Sequence, residues 1–336
     1  MQHGIYYFQD PPAFLATGSV VGKKEHAGPL GKYFDYHDDS DAFGQDTWEK
    51  SEGEMQRLAL NFALSKAKIL HTDVDALFAG DLMNQCVGSS YGLLDFDIPF
   101  FGLYGACSTS VESIGLAALG VGNGIFGMAA AVTSSHNCSA ERQFRYPLEY
   151  GGQRSPTAQW TVTGAGAFLL GHADSGPYVT EFLPGRTLDA GVKDLTNMGA
   201  AMAPAVIDTL TRYFAESKCA PDQFDLILTG DLGEEGHRIV TELMAKNQTP
   251  LGQNYTDCGL LIYDRTRQDM HAGGSGCGCC ASVLAGYLTE QFHAGKLRDI
   301  LVIATGALMS PASVQQGCSI PAIAHLIRIR KEKGTA

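Results

Sequence analysis

No uninterrupted apolar run of about 20 residues occurs in the chain, so no segment has the length and hydrophobicity of a bilayer-crossing helix, and the chain is not expected to span a membrane itself. The first ten residues, Met1 to Asp10, lack a basic stretch followed by a long apolar one, so no secretory signal is expected. Charge is sparse, at 18% of residues, and one-sided, with a net charge of -12 and no basic patch; this argues against nucleic acid as a partner. Nine cysteines in a chain without a signal read as free thiols in a reducing compartment. What the chain has in quantity is apolar residues, 45% of 336, and glycine, 40 in all. That combination suits an extensive buried interior with many tight strand–helix turns.

The apolar residues are organised as a repeat. Ile98 to Tyr104 reads as a buried strand that hands over to a helix at Ala106-Cys107-Ser108, where Thr109 and Glu112 have capping-box spacing and Val111, Ile114, Ala118 and Leu119 recur at helical intervals. The same pattern returns at Gly276-Cys277, ahead of a helix carrying Val283, Leu284, Tyr287 and Leu288. Strand-like runs follow both cysteines, at 128–134 and 300–306. Upstream, 74–81 is echoed by 224–231, each ending in Gly-Asp and each preceded by an amphipathic helix, near 52–70 and 199–216. The repeat predicts a duplicated strand–helix–strand–helix–strand unit, with extra residues in the second copy between Asp231 and Cys277.

Strands alternating with helices imply mostly parallel sheets covered on both faces. The expected fold is therefore α/β, layered helix/sheet/helix/sheet/helix, with two equivalent helices at the centre. The halves are expected at 1–172, carrying an inserted loop at 135–160, and at 173–336. Gly115, Ala117, Ala118 and Gly120 in one central helix, with Ala281, Ala285 and Gly286 in the other, are small enough for the two to approach closely. Cys107 and Cys277 would then line one cavity at the carboxyl ends of the strands. A thiol at a helix start is favoured as thiolate by the dipole and free N–H groups, which makes Cys107 a candidate nucleophile.

Other candidates are weaker. Cys277, Cys279 and Cys280 on one opening helix point their thiols in different directions, so no metal site is expected. His136 ends the strand after the Cys107 helix. It begins a loop, 135–154, that is too long and too rich in Arg, Tyr and His for a plain connector.

Together, the duplicated unit, Ala106-Cys107-Ser108, Val162 to Leu170 and Gly276 to Val283 resemble the thiolase superfamily, nearest to ketoacyl synthase III condensing enzymes. The resemblance implies a cysteine nucleophile, matched by Cys107, working with a histidine and an asparagine from the second half. Here Asp231 stands at the histidine position and Cys277 at the asparagine position, so Cys107, Asp231 and Cys277 read as vestigial catalytic positions. An ionised Asp231 would repel a developing oxyanion.

More specifically, Gly28-Pro-Leu-Gly31, Ala79 to Gln85, Gly105 to Ser110, Thr133 to Asn137, Ala140 to Pro147, Glu149 to Gln153 and Ala272 to Cys277 resemble the stage V sporulation protein AD family of endospore-forming bacteria. The similarity runs from about residue 11 to 327. It implies a protein that binds dipicolinic acid, pyridine-2,6-dicarboxylate, and supports its uptake into the forespore. Partners would be the other stage V sporulation A membrane proteins, with the chain peripheral to the forespore or spore inner membrane.

On this reading the chain is no enzyme and needs no cofactor; its ligand is dipicolinate, alone or with calcium. The candidate ligand residues are Cys107, His136, Asn137, Arg142, Arg145, Tyr146, Tyr150, Asn84 and Cys277, with arginines opposite the carboxylates and a tyrosine against the ring. The alternative is a condensing enzyme that still loads an acyl group on Cys107. A third reading is a scaffold that only anchors a membrane complex. A homodimer is expected through the strand ending at Tyr104 and the residues Asn84 to Leu94 before it.

Overall fold

A computed structural model describes residues 4–144 and 154–334, with residues 141–144 described by backbone alone. The first half runs through β1 (Tyr6–Tyr7), β2 (Ala13–Gly22), α1 (Lys23–His26), β3 (Tyr36–Asp38), α2 (Trp48–Ala67), β4 (Ala76–Gly80), α3 (Val87–Gly92), β5 (Phe100–Leu103), α4 (Thr109–Gly122), β6 (Met128–Ser135), α5 (Asn137–Phe144), β7 (Trp160–Thr161) and β8 (Gly164–Gly171). The second runs through β9 (Tyr178–Leu183), α6 (Met198–Ser217), β10 (Leu226–Thr229), α7 (Gly233–Lys246), β11 (Tyr255–Asp257), α8 (Cys258–Leu261), β12 (Gly274–Ser275), α9 (Cys277–Val283), α10 (Thr289–His293), β13 (Asp299–Ala307), α11 (Pro311–Gln315) and β14 (Ala322–Arg330).

The main strands follow the order β11-β10-β13-β14-β9-β2-β8-β6-β4-β5. This is one five-stranded pattern used twice, β5-β4-β6-β8-β2 and β11-β10-β13-β14-β9, with the two sheets joined by the single pair Ala13 and Tyr178. In each, three neighbouring strands are parallel and the last two pairings are antiparallel. The outer helices repeat as closely. Both α2 and α6 have 20 residues; Thr47 and Asn197 cap their starts by accepting from the backbone three residues on, and Lys68 and Lys218 end them in the left-handed conformation. Each lays an apolar stripe on its own sheet: Met55, Ala59, Leu60 and Ala63 in one, Met202, Val206 and Leu210 in the other.

Between the sheets lie α4 and α9, the latter passing through a π-helical turn at Leu284–Leu288 into α10. The expected five layers are present. The central helices contact each other as expected, with Ala117, Ala118, Ala281 and Ala285 in one shared core, and glycines at this level also admit sheet and helix atoms. A methyl at Gly115 would sit 2.4 Å from the Phe182 ring, and one at Gly166 of β8 would sit 2.4 Å from the Ala281 carbonyl oxygen. The Thr109 capping box does not form. A 3-10 turn at Ala106–Ser108 precedes α4, Thr109 Oγ1 donates to the Ala106 carbonyl at 2.7 Å, and Glu112 Oε2 is buried without a hydrogen-bond partner.

Sheet geometry gathers the chemistry at one end. Gly80 aligns with Leu103 and Thr133 across β4, β5 and β6, and Thr229 with Asp257 and Ile303 across β10, β11 and β13. The residues following these carboxyl ends, Asp81, the Cys107 turn and Asp231, therefore face the starts of the central helices.

Candidate functional site

Cys107 sits in the 3-10 turn ahead of α4, immediately after Ala106, whose φ of 53° is left-handed. A non-glycine residue held there marks a turn fixed by its surroundings. Here Ser108 Oγ donates to the Gly105 carbonyl at 2.6 Å, and the Gly105 N–H donates to Thr109 Oγ1 at 3.1 Å. The turn packs against β13, where a methyl on Gly306 would lie 2.4 Å from the Gly105 carbonyl oxygen. Cys107 is 8% exposed and shares a small apolar cluster with Leu82, Ala140 and Cys277. The two equivalent cysteines are thus brought together, one from each half. Cys277 is fully buried, and its thiol donates to the Ser134 carbonyl at 2.9 Å.

Burial and the facing Asp231 carboxylate together keep the Cys107 thiol protonated. The Asp231 carboxylate accepts from Thr305 Oγ1 at 2.6 Å, the Gly276 N–H at 2.9 Å and Ser275 Oγ at 3.3 Å, and it faces the Cys107 thiol. With its oxygens held by these three donors and its charge facing Cys107, the carboxylate favours a neutral thiol. Burial pushes the Cys107 thiol well above the ordinary range, and the Asp231 carboxylate and Cys277 push it further. The helix-start expectation of a thiolate therefore does not hold, because burial and a facing carboxylate outweigh a dipole worth about 1 kcal/mol or less. Asp231 is itself raised by burial, with its donors pulling the other way.

Behind Cys277 lies a second acidic group. Glu52 and Gln56, one turn apart on the buried side of α2, reach β6 and α5. Glu52 accepts from Ser134 Oγ at 2.9 Å and Ser139 Oγ at 2.6 Å, while Gln56 Nε2 donates to Ser134 Oγ at 2.7 Å and Ser89 Oγ at 2.9 Å. Asp81 accepts from Met83 N, Ser89 N and Ser89 Oγ. Burial, helped by the Asp81 charge, pushes Glu52 up to about 8. The folded protein therefore keeps a proton on Glu52 that the unfolded chain releases near the ordinary 4.5. Stability is highest below that value and falls as pH rises through about 8. Glu52→Gln should flatten this decline, as measured by denaturant unfolding from about pH 5 to 8; parallel pH profiles for the two proteins would refute it.

With this geometry in place, comparison with known proteins is decisive on family. A profile of the stage V sporulation protein AD (SpoVAD) family matches residues 3–330. Stage V sporulation protein AD of Bacillus subtilis (strain 168) is 42% identical over 331 residues, covering 98% of each chain. The chain belongs to the SpoVAD family. Among solved structures it resembles 3-oxoacyl-[acyl-carrier-protein] synthase III of Aquifex aeolicus VF5, at 12% identity and TM-score 0.56, over 94% of this chain and 99% of that one. Cerulenin-bound OleA of Xanthomonas campestris gives 12% identity and TM-score 0.60 over 96% and 97%. These two likenesses establish the thiolase-like fold and nothing beyond it.

Within this SpoVAD member the remaining candidates are dispersed. His136 is buried, its Nε2 donating to the Asp41 carbonyl at 2.8 Å and its Nδ1 accepting from Cys138 N at 3.1 Å. Both ring nitrogens are committed to backbone, so His136 has no donor left for a ligand carboxylate, and burial lowers its pKa. Asn137 Nδ2 donates to the Thr161 carbonyl at 3.2 Å, tying the start of α5 to β7. Asn84 lies on the exposed rim, where its Oδ1 accepts from Tyr104 at 2.9 Å. Arg142 lies on α5 outside the described side chains, and Arg145, Tyr146 and Tyr150 lie outside the described residues.

A cleft of about 350 Å³ opens at the start of α2, lined among the described residues by Ala42, Gln45, Asp46, Thr47, Trp48 and Glu49. Its carboxylates make it unsuited to a dianion. The residues that sequence reasoning missed are Glu52, Gln56, Ser134 and Ser139. Their signal was the i, i+4 polar pair Glu52 and Gln56 flanking Met55 and Ala59 on a buried helix face. No helix among the described residues is long and apolar enough to cross a membrane.

Proposed function

We propose that this SpoVAD-family chain binds dipicolinic acid in a pocket inherited from a condensing enzyme and supports its uptake into the forespore, without catalysis of its own. The observation that carries the non-catalytic part is Asp231: where the related enzymes use a neutral histidine donor, this chain places a carboxylate that holds Cys107 protonated. Condensation needs a nucleophilic sulfur and donors aimed at an oxyanion, and Asp231 opposes both. The ligand is drawn from the family resemblance. Asp231 and Asp81 beneath the pocket, with protonated Glu52 beside them, mean that a dianion needs cationic partners, which Arg142, Arg145 or a calcium ion would supply.

The test is calorimetric titration with dipicolinate, with and without calcium. Cys107→Ser should keep most of the affinity, whereas Arg145→Ala should cost on the order of 2 kcal/mol or more. Acetyl and malonyl thioesters should leave Cys107 unmodified; an acyl adduct in intact-mass spectra, released as product by a second thioester, would establish the enzyme reading instead.

The chain is also proposed to dimerise through β5 and to act at the forespore membrane with the other stage V sporulation A proteins. Supporting the first, edge strand β5 exposes Phe100 at 41% and Phe101 at 47%, beside Tyr104 at 52%, while its counterpart β11 is largely buried. Light scattering should give twice the mass of 35.8 kDa; a stable monomer at micromolar concentration would refute it.

A further inference from the structure

Outside the cysteine pocket one group of side chains is built for a ligand that the structure's own residues do not supply. Trp160 of β7 is flanked by two cations: Lys24 Nζ lies 3.5 Å from its ring centroid and the Arg154 guanidinium carbon 4.8 Å. The Arg154 side chain is only 9% exposed, and it spends Nη2 on Asp269, both on the carboxylate at 2.8 Å and on the carbonyl oxygen. Its Nη1 is buried with no hydrogen-bond partner among the described residues. Asp269 is 81% exposed and also pairs with His271, so it neither encloses the guanidinium nor reaches its second nitrogen.

Lys24 forms no salt bridge with any described carboxylate. Glu25, Asp41 and Asp269 act on it only through their charge, without an ion pair, while partial burial and the Arg154 charge lower its pKa. A buried charged donor without an acceptor costs more than most surface features return. Two like charges against one indole add to that cost, and an anion between them relieves both.

We infer that Lys24, Arg154 and Trp160 form an anion site that takes one carboxylate of a small aromatic acid. The site adjoins the cysteine pocket along the chain: Trp160 pairs with Gly274 and Thr161 with Ser275, and Ser275 and Gly276 donate to Asp231. That the acid is dipicolinate rests on the reading proposed above; the presence of an anion site does not. Arg154 offers its Nη1, Lys24 its ammonium, and the half-buried Trp160 an apolar edge for a flat ring.

The experiment uses dipicolinate and benzoate as probes on the full chain. Binding is measured by calorimetry, alongside the part of the tryptophan fluorescence that Trp160→Phe removes. Both probes should change that signal saturably, and Arg154→Met and Lys24→Met should each weaken dipicolinate binding about tenfold or more. Lys24 is exposed, so its variant decides the matter even if Arg154→Met fails to fold. Dipicolinate bound equally well by Lys24→Met and wild type, with Trp160 silent, would overturn the inference and leave the dipicolinate reading standing. A Trp160 response to benzoate that Lys24→Met abolishes, with no dipicolinate binding, would uphold the site and overturn the reading. If neither probe binds, both fall.

Discussion

Replacing Asp231 by alanine is expected to cost about 4 kcal/mol of folding stability, since each buried donor left without an acceptor costs about 1–3 kcal/mol. Three donors converge on this carboxylate, from β13 and from the strand and turn leading into α9, and the Cys107 turn faces it. Against this loss stands a gain: burial raises the Asp231 pKa, so removing an ionised carboxylate also removes a desolvation penalty. The donors prevail because alanine leaves all three unpaired, whereas the burial penalty is already offset by the bonds they make. Asp231→Asn separates the two effects, keeping one acceptor oxygen and the volume while discarding the charge. It should unfold at a higher temperature than Asp231→Ala. Its Cys107 should alkylate severalfold faster with iodoacetamide than in wild type, because the carboxylate that raises the thiol pKa is gone. An alanine variant as stable as wild type, or an asparagine variant with unchanged Cys107 reactivity, would refute this account.

Gly278→Ala is expected to be as damaging, through packing alone. A methyl there would lie 2.2 Å from the Gly164 carbonyl oxygen, 2.6 Å from the Ser135 nitrogen and 2.7 Å from Ser135 Oγ. Two of the three are backbone atoms of paired strands, so no rotamer change relieves the clash. Accommodating even one methyl means shifting α9 away from β6 and β8. That shift moves Gly276 off Asp231 and Cys277 off the Ser134 carbonyl. Overpacking of this kind costs about 1–3 kcal/mol or more. The expected result is a markedly lower Tm or an insoluble product, together with loss of any ligand binding that depends on the α9 start. A variant with wild-type Tm would show that the central helix is not held as closely as described.

How much of this was legible in the chain varies by feature. The duplication was, because strand and helix periodicities are local and appear twice in the same order. The 20-residue outer helices, with their matched caps, sit where apolar spacing places them. The meeting of Cys107 and Cys277 also followed, since a repeat related by pseudo-twofold symmetry brings equivalent helix starts together. The charge state of Cys107 did not follow. A helix start favours a thiolate in isolation, and burial, with the approach of Asp231 124 positions further along the chain, reverses that preference. His136 looked available as a loop residue beside the site, and its two nitrogens turned out to serve Asp41 and Cys138.

By itself, then, the sequence determined the elements, their repetition, the fold class and, through motifs spread along nearly the whole chain, the SpoVAD family. These depend on periodicity, turn chemistry and residue order, all of which are properties of the chain as written. The tertiary structure decided which polar groups face one another: three donors and the Cys107 thiol at Asp231, two serine hydroxyls on Glu52, and Lys24 and Arg154 against Trp160. Protonation and hydrogen bonding in a buried site depend on the distance to groups far away in sequence and on the water excluded between them, and neither is set until the two halves have packed.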